Sequence, residues 1–188
     1  MRLLLPVLLG ALSLVGCSRS KMPPLTTDRP GGEGGGVPSD GAVARSEPLS
    51  FQVKRYPGGE PYALASDRGN VVLLDVWATW CEPCRDALPF YENLGREYAS
   101  RGLKVYALNV DEDTRAIAPF LKEVKASLPI LLDENAQVSE RLLMVRGLPT
   151  TYLIDKRGVV RFAHLGFGEE WVTKLQTEIE ALLAEPAP

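Results

Sequence analysis

Two of the chain's three cysteines, Cys81 and Cys84, stand three positions apart in VWATWCEPCRDALP, with Glu82 and Pro83 between them. Such a pair can cycle between dithiol and disulfide, hold a metal, or close a turn. The ligand count argues against metal. The chain has one histidine, His164, whereas structural zinc takes four N or S ligands. Two cysteines and a distant carboxylate would make a poor site. A purely structural bridge would add little, because closing so short a loop removes little unfolded-state entropy. Redox exchange is the favoured use, with no metal and no cofactor required.

The elements around the pair must place both sulfurs together. VVLLDVW, Val71 to Trp77, is an apolar, β-branched run suited to a strand buried on both faces. A helix is expected from Glu82 to Ser100, with Leu88, Tyr91, Leu94 and Tyr98 inward and a kink at Pro89. At a strand end that opens a helix, residues i and i+3 share a face, so the two sulfurs can come within bonding range. Cys81 at the helix N-terminus gains from free N–H groups and the macrodipole, which favour the thiolate nucleophile. Cys84, one turn inside, should be more buried and act as the resolving thiol. Pro83 stiffens the first turn. Glu82 adds negative charge beside Cys81 and should oppose a very low thiol pKa, which favours a reductant over an oxidant. Trp80 should cover the site, and Trp77 should pack in the core.

Further strands are expected at LSFQV and EPYALA, flanking a Pro57-Gly58-Gly59 turn. Leu103 to Val110 and Ile130 to Leu132 also read as strands. Helices are expected from Asp113 to Ser127, with Ile117, Leu121 and Val124 inward, and from Ala136 to Leu143. Thr151 to Ile154 and Val159 to Ala163 should form a hairpin around Asp155-Lys156-Arg157-Gly158. A last helix, Glu169 to Ala184, turns Trp171, Leu175, Ile179 and Leu182 inward. Alternating strands and helices ending in a hairpin give an α/β fold with a central mixed sheet.

DVWATWCEPC resembles the active-site strand and motif of the thioredoxin superfamily. GLPTTYLI, Gly147 to Ile154, resembles its cis-proline loop, with Pro149 as the cis residue. CEPC with the downstream Pro89, the strand–helix insertion around Thr114 to Leu132, and LPTTYLID followed by Arg157-Gly158 are similar to the TlpA/ResA-type thiol–disulfide oxidoreductases. The resemblance spans about Leu49 to Leu183. It implies a thioredoxin-like fold and places Leu148, Pro149 and Thr150 beside the cysteines in a groove that pairs with extended substrate. Asp75, six positions before Cys81, matches the buried acid that exchanges a proton with the resolving cysteine; burial should raise its pKa. Many ResA-like members instead carry a glutamate three residues after the second cysteine. Here that position is Ala87, so Asp75 is the better candidate. His164 is expected to be exposed or structural rather than a catalytic base.

The first residues read as targeting rather than fold. Met1-Arg2 precedes an apolar run from Leu3 to Val15, too short for the ~20 helical residues that span a bilayer. It ends in Leu14-Val15-Gly16-Cys17, which resembles a bacterial lipobox. Residues 1–16 are then a lipoprotein signal, and Cys17 is the lipidation site. Residues 17–47 form a Gly/Pro-rich tether, GGEGGG included, reaching roughly 30 Å. Residues 48–185 make the thioredoxin-like domain. The chain of 188 residues is 45% hydrophobic and 24% charged with formal charge −3, ordinary for a globular protein and without the basic stripe of a nucleic-acid binder. A monomer is expected, lipid-anchored outside the cytoplasm, facing the periplasm or the cell exterior. The resemblance implies protein disulfide substrates, such as apocytochrome c, and a membrane electron donor of the DsbD/CcdA type.

Two other classes compete. A thiol peroxidase shares the broad fold, but its reactive cysteine follows a threonine by three positions, and here that position is Ala78. A tethered binding module would need no cycling of the cysteines.

Overall fold

The computed structural model describes residues 47–188. The lipobox, Cys17 and nearly all of the expected tether lie outside them. Seven strands form one mixed sheet: β1 (Gln52–Tyr56), β2 (Pro61–Ala63), β3 (Val71–Trp77), β4 (Leu103–Asn109), β5 (Ile130–Leu132), β6 (Thr150–Ile154) and β7 (Val160–Leu165). Their order is β2-β1-β5-β4-β3-β6-β7. β3 and β4 are parallel, as are β4 and β5; β6 runs antiparallel to β3 and β7 to β6. β1 joins the β5 edge and carries β2, so the N-terminal hairpin extends the sheet.

β3 is buried along its whole length, as its unbroken apolar run requires. Its odd positions Val71, Leu73 and Trp77 join the core on one face. That core takes its other residues largely from α1 (Cys84–Tyr98), α2 (Ile117–Val124) and α3 (Glu169–Ala184). Its even positions Val72, Leu74 and Val76 join a second core, covered by Leu49, Phe51 and Leu64 from the N-terminal segment and by Val138 and Leu143. The period-two alternation of a strand divides the two cores.

Several boundaries differ from the sequence reading. The first strand lies at Gln52–Tyr56 rather than Leu49 to Val53, because Leu49 and Phe51 turn into the second core while β1 pairs with β5. α1 begins at Cys84, not Glu82; Glu82 and Pro83 occupy the turn closed by Cys84 N–H donating to Cys81 O (3.2 Å). Pro89 lies inside α1. α2 is shorter than expected and is preceded by a 3₁₀ turn at Thr114–Ala116; it buries Ile117 and Phe120 fully, with Leu121 and Val124 at the margin. The expected helix at 136–143 forms over Gln137–Leu142 as a π-helix rather than an α-helix, entered through left-handed Asn135 (φ 60°) and Ala136 (φ 52°). Trp171 in α3 is only partly buried, whereas Leu175, Ile179 and Leu182 are core.

The β6–β7 turn forms as read. Asp155 Oδ1 accepts from Arg157 N and Val159 N, both at 2.9 Å, and Gly158 takes φ 84°. A Cβ at Gly158 would collide with the Arg68 guanidinium, which itself donates to Leu49 O.

Candidate active site

Cys81 and Cys84 are joined by a disulfide in the turn between β3 and α1. Cys84 is fully buried and Cys81 is 5% exposed, so the oxidised pair is sheltered on both sides rather than presenting an open Cys81. Trp80 next to it is 71% exposed, and Glu82 and Pro83 face solvent. Trp77 is wholly buried, its ring 5.2 Å from that of Phe120, as a core residue should be.

The Leu148-Pro149 peptide is cis. Pro149 and Thr150 are buried and Leu148 is partly exposed. Thr150 Oγ1 donates to Gly147 O (2.7 Å) and Gly166 N–H donates to Pro149 O (2.8 Å), which ties this loop to the end of β7. Pairing of Val76 with Thr150 seats the loop at the end of β3 that leads to the disulfide turn. Trp80, Gly147 and Leu148 line one cavity of about 910 Å³. Two segments almost seventy positions apart thus share a surface beside the cysteines.

Asp75 is fully buried on β3. Burial pushes its carboxyl well above the ordinary carboxylate range, and the Thr151 hydroxyl, donating to Oδ1 at 3.0 Å, offsets part of that. Its Oδ2 has no partner among the described residues. Tyr91 on α1 brings its hydroxyl to 2.7 Å from Thr151 Oγ1. Burial, then the neighbouring Asp75 charge, holds the Tyr91 phenol well above its usual pKa. Cys84, Tyr91 and Trp77 belong to the core on this same face. Ala87, fully buried, contributes no acid there.

Sequence reading missed three supporting groups. Thr151 and Tyr91 were visible only as strand and helix-stripe positions, since their convergence on Asp75 depends on register and packing. Asp111 was not noticed at all. It accepts from Thr79 N (2.9 Å), Thr79 Oγ1 (3.0 Å) and Asn109 Nδ2 (2.7 Å), so a carboxylate beyond β4 fixes the segment that presents Trp80 and Cys81. NVD at 109–111 was the available signal: a polar cluster closing an apolar strand. His164 is buried rather than exposed. Its Nε2 lies 2.6 Å from Glu178 Oε2, and its ring lies 4.7 Å from that of Trp171, tilted by 42°. It is a structural residue, as one of the two expected roles had it.

Among the described residues no His/Cys/Asp/Glu group could hold a metal ion, and no helix is long and apolar enough to cross a membrane. The arrangement can exchange electrons with a second disulfide and hold one proton in its core.

Comparison with known proteins agrees with this chemistry. The thiol–disulfide oxidoreductase ResA of Bacillus subtilis is 36% identical over 102 residues, covering 54% of this chain and 56% of ResA, so the chain spans little more than half of that relative. A Chlorobium tepidum protein provisionally assigned as thiol:disulfide interchange protein DsbE superposes with TM-score 0.69 and 32% identity, over 79% of this chain and 100% of that one. The exposed lipoprotein thioredoxin Etrx1 of Streptococcus pneumoniae gives TM-score 0.60 and 27% identity, over 70% and 99%. The fold is thioredoxin-like, and the span holding both the disulfide turn and the cis-proline loop, residues 46–163, matches the AhpC/TSA family, to which this chain belongs.

Proposed function

We propose that this protein is a thiol–disulfide oxidoreductase that reduces protein disulfides outside the cytoplasm. The observation that carries this reading is the Cys81–Cys84 disulfide in the turn into α1, whose neighbour Trp80 lines a cavity with Gly147 and Leu148 of the cis-Pro149 loop. The names of the relatives support the reaction class. Reduced Cys81 attacks a substrate disulfide as thiolate, forming a mixed disulfide and expelling one substrate thiolate. Asp75 takes the proton of Cys84; the Cys84 thiolate then attacks Cys81 and expels the second substrate thiolate. Trp80, Leu148, Pro149 and Thr150 form the groove that holds the substrate backbone. Glu82 keeps the Cys81 thiolate from being strongly favoured, which suits a reductant.

Cys84→Ser should trap mixed disulfides on Cys81, and Cys81→Ser should trap none and leave insulin unreduced. Equal insulin reduction by wild type and Cys81→Ser would end the reading and favour a binding module. A reductant also requires a potential nearer about −270 mV than about −120 mV. The lipobox reading, and the likeness to a lipoprotein thioredoxin, support Cys17 as a lipid anchor, residues 17–47 as its tether and 48–185 as the working domain. Cys17→Ser should then move the protein from the membrane fraction to the soluble fraction. A monomer re-reduced by a DsbD/CcdA-type donor, acting on substrates such as apocytochrome c, completes the proposal.

Membership of the AhpC/TSA family gives thiol peroxidase chemistry a specific claim as second reading. Ala78 stands where that reading wants threonine. Peroxide consumption by the reduced domain well above that of Cys81→Ser would favour it.

A further inference from the structure

Groups from three elements meet in an otherwise apolar core. Asp75 of β3 pairs across the sheet with Thr151 of β6, and Tyr91 reaches the same point from α1. The Thr151 hydroxyl has one proton, and Asp75 Oδ1 receives it. The contact between Tyr91 and Thr151 must therefore be a donation from the phenol. The chain of hydrogen bonds has one direction, from Tyr91 through Thr151 to Oδ1. Oδ2 is left without a partner among the described residues. Tyr91 follows Cys84 by two helical turns, so both project toward the same core.

We propose that Thr151 and Tyr91 are positioning residues for Asp75, binding Oδ1 with their hydroxyls and so reserving Oδ2 for the proton that Cys84 gives up. The inference rests on Asp75 acting as the base for Cys84, as proposed above. The step balances as follows. The Cys84 S–H bond breaks and an O–H bond forms on Asp75. The resulting thiolate attacks Cys81 Sγ; the Cys81–substrate S–S bond breaks as the Cys81–Cys84 bond forms. The substrate sulfur leaves with the electron pair and takes its proton from water. The cysteines are oxidised, the substrate is reduced, and Asp75 ends protonated.

The base must be a carboxylate before this step, and a buried carboxylate needs something to stabilise its charge. Among the described residues no cation bonds Asp75. Across β3 its neighbours are Ala107 on β4 and Thr151 on β6. The titratable groups of the core on this face are Cys81 of the preceding turn, Cys84, Tyr91 and Tyr98 of α1 and, one strand beyond Thr151, His164 of β7 with Glu178 of α3. The Thr151 hydroxyl is the only hydrogen bond to the carboxyl side chain among the described residues. Tyr91 strengthens it, because a donating hydroxyl that is itself hydrogen-bonded is polarised further.

The reaction of the reduced protein with dithiobis-nitrobenzoate separates the steps. The first thionitrobenzoate released reports attack by Cys81; the second reports attack by Cys84 on the mixed disulfide. The second phase is followed from about pH 5 to about pH 9, across the range open to a coupled acid–thiol pair. In wild type its rate should rise with pH through the apparent midpoint of the Asp75–Cys84 pair. Thr151→Val should move that midpoint up by about one pH unit, a tenfold slower phase on the acidic side, with the alkaline plateau kept. Thr151→Ser should restore the wild-type midpoint, and Tyr91→Phe should move it up by less. The first phase should be unaffected in all three. A Thr151→Val midpoint equal to wild type, with Asp75→Asn removing the inflection, overturns the positioning role and leaves Asp75 as the base. An inflection that survives Asp75→Asn overturns both. If the valine variant does not fold, Tyr91→Phe, which keeps the ring, decides alone: an unmoved midpoint overturns the proposal.

Discussion

Asp75 is placed where a carboxyl is least comfortable: in the central strand, fully buried, with one oxygen unpartnered among the described residues. Such a group persists at a cost to stability, and the cost has a pH signature. Its folded-state pKa lies above its unfolded value. Below about pH 4 both states hold the proton and the cost is absent; as pH rises toward the folded pKa the unfolded chain alone ionises, and stability falls. Asp75→Asn cannot ionise. The stability of the oxidised variant relative to wild type should therefore increase with pH, by up to ~1.4 kcal/mol per unit above about pH 4, in urea unfolding curves. A difference constant across pH would show that the carboxyl is not held protonated. The residue itself was legible, since one acid in VVLLDVW cannot escape burial in a central strand. Thr151 was not legible as its partner. A strand pattern gives faces but not the register that sets position 75 opposite 151.

Elements carry the site through local pins that periodicity does not encode. Alternation and apolar runs were enough for β3, β4, β5, the hairpin and α3. They placed the short helix at 136–143 but not its type, since Asn135, Ala136 and Met144 take positive φ and Gln137–Leu142 winds as a π-helical turn. Buried Asp133 anchors that turn by accepting from Val138 N (2.9 Å) and Ser139 N (2.7 Å), a capping arrangement with a helical spacing of apolar residues around it. Ala136→Gly relieves a left-handed alanine and should stabilise the fold by about 0.5–1 kcal/mol, as a rise in denaturation midpoint with unchanged slope. The same logic applies to Asp111. Its two bonds to Thr79 fix the loop before Cys81. Asp111→Ala should cost about 1–3 kcal/mol, speed amide exchange at Thr79 and not along β3, and slow disulfide exchange. Unchanged exchange at Thr79 would show that the loop is held by other contacts.

Across the whole molecule, Trp80, which precedes the disulfide, lines a cavity of strongly uneven charge. Asp111, Glu112, Asp133, Glu134 and Glu140 line it together with Trp80, Gly147 and Leu148, and among the described residues no lysine or arginine does so. Lys54 pairs with Glu134, and Asp111 is occupied by Thr79 and Asn109, but Glu112 and Glu140 are exposed. A polypeptide laid against the cis-proline loop and running along this cavity meets negative potential on a protein that is already net acidic, with formal charge −3. Clefts of one sign raise the local concentration of oppositely charged partners and speed their association. A lysine-rich disulfide peptide should therefore be reduced up to about tenfold faster than a glutamate-rich peptide of the same length at low salt. The ratio should fall toward one as ionic strength rises to about 1 M, where screening acts over roughly 3 Å. Glu112→Lys with Glu140→Lys should abolish the preference and leave reduction of a small neutral disulfide unchanged, because neither residue is part of the sulfur chemistry. Equal rates for the two peptides at low salt would show that the charge of this cavity does not steer substrates to the disulfide.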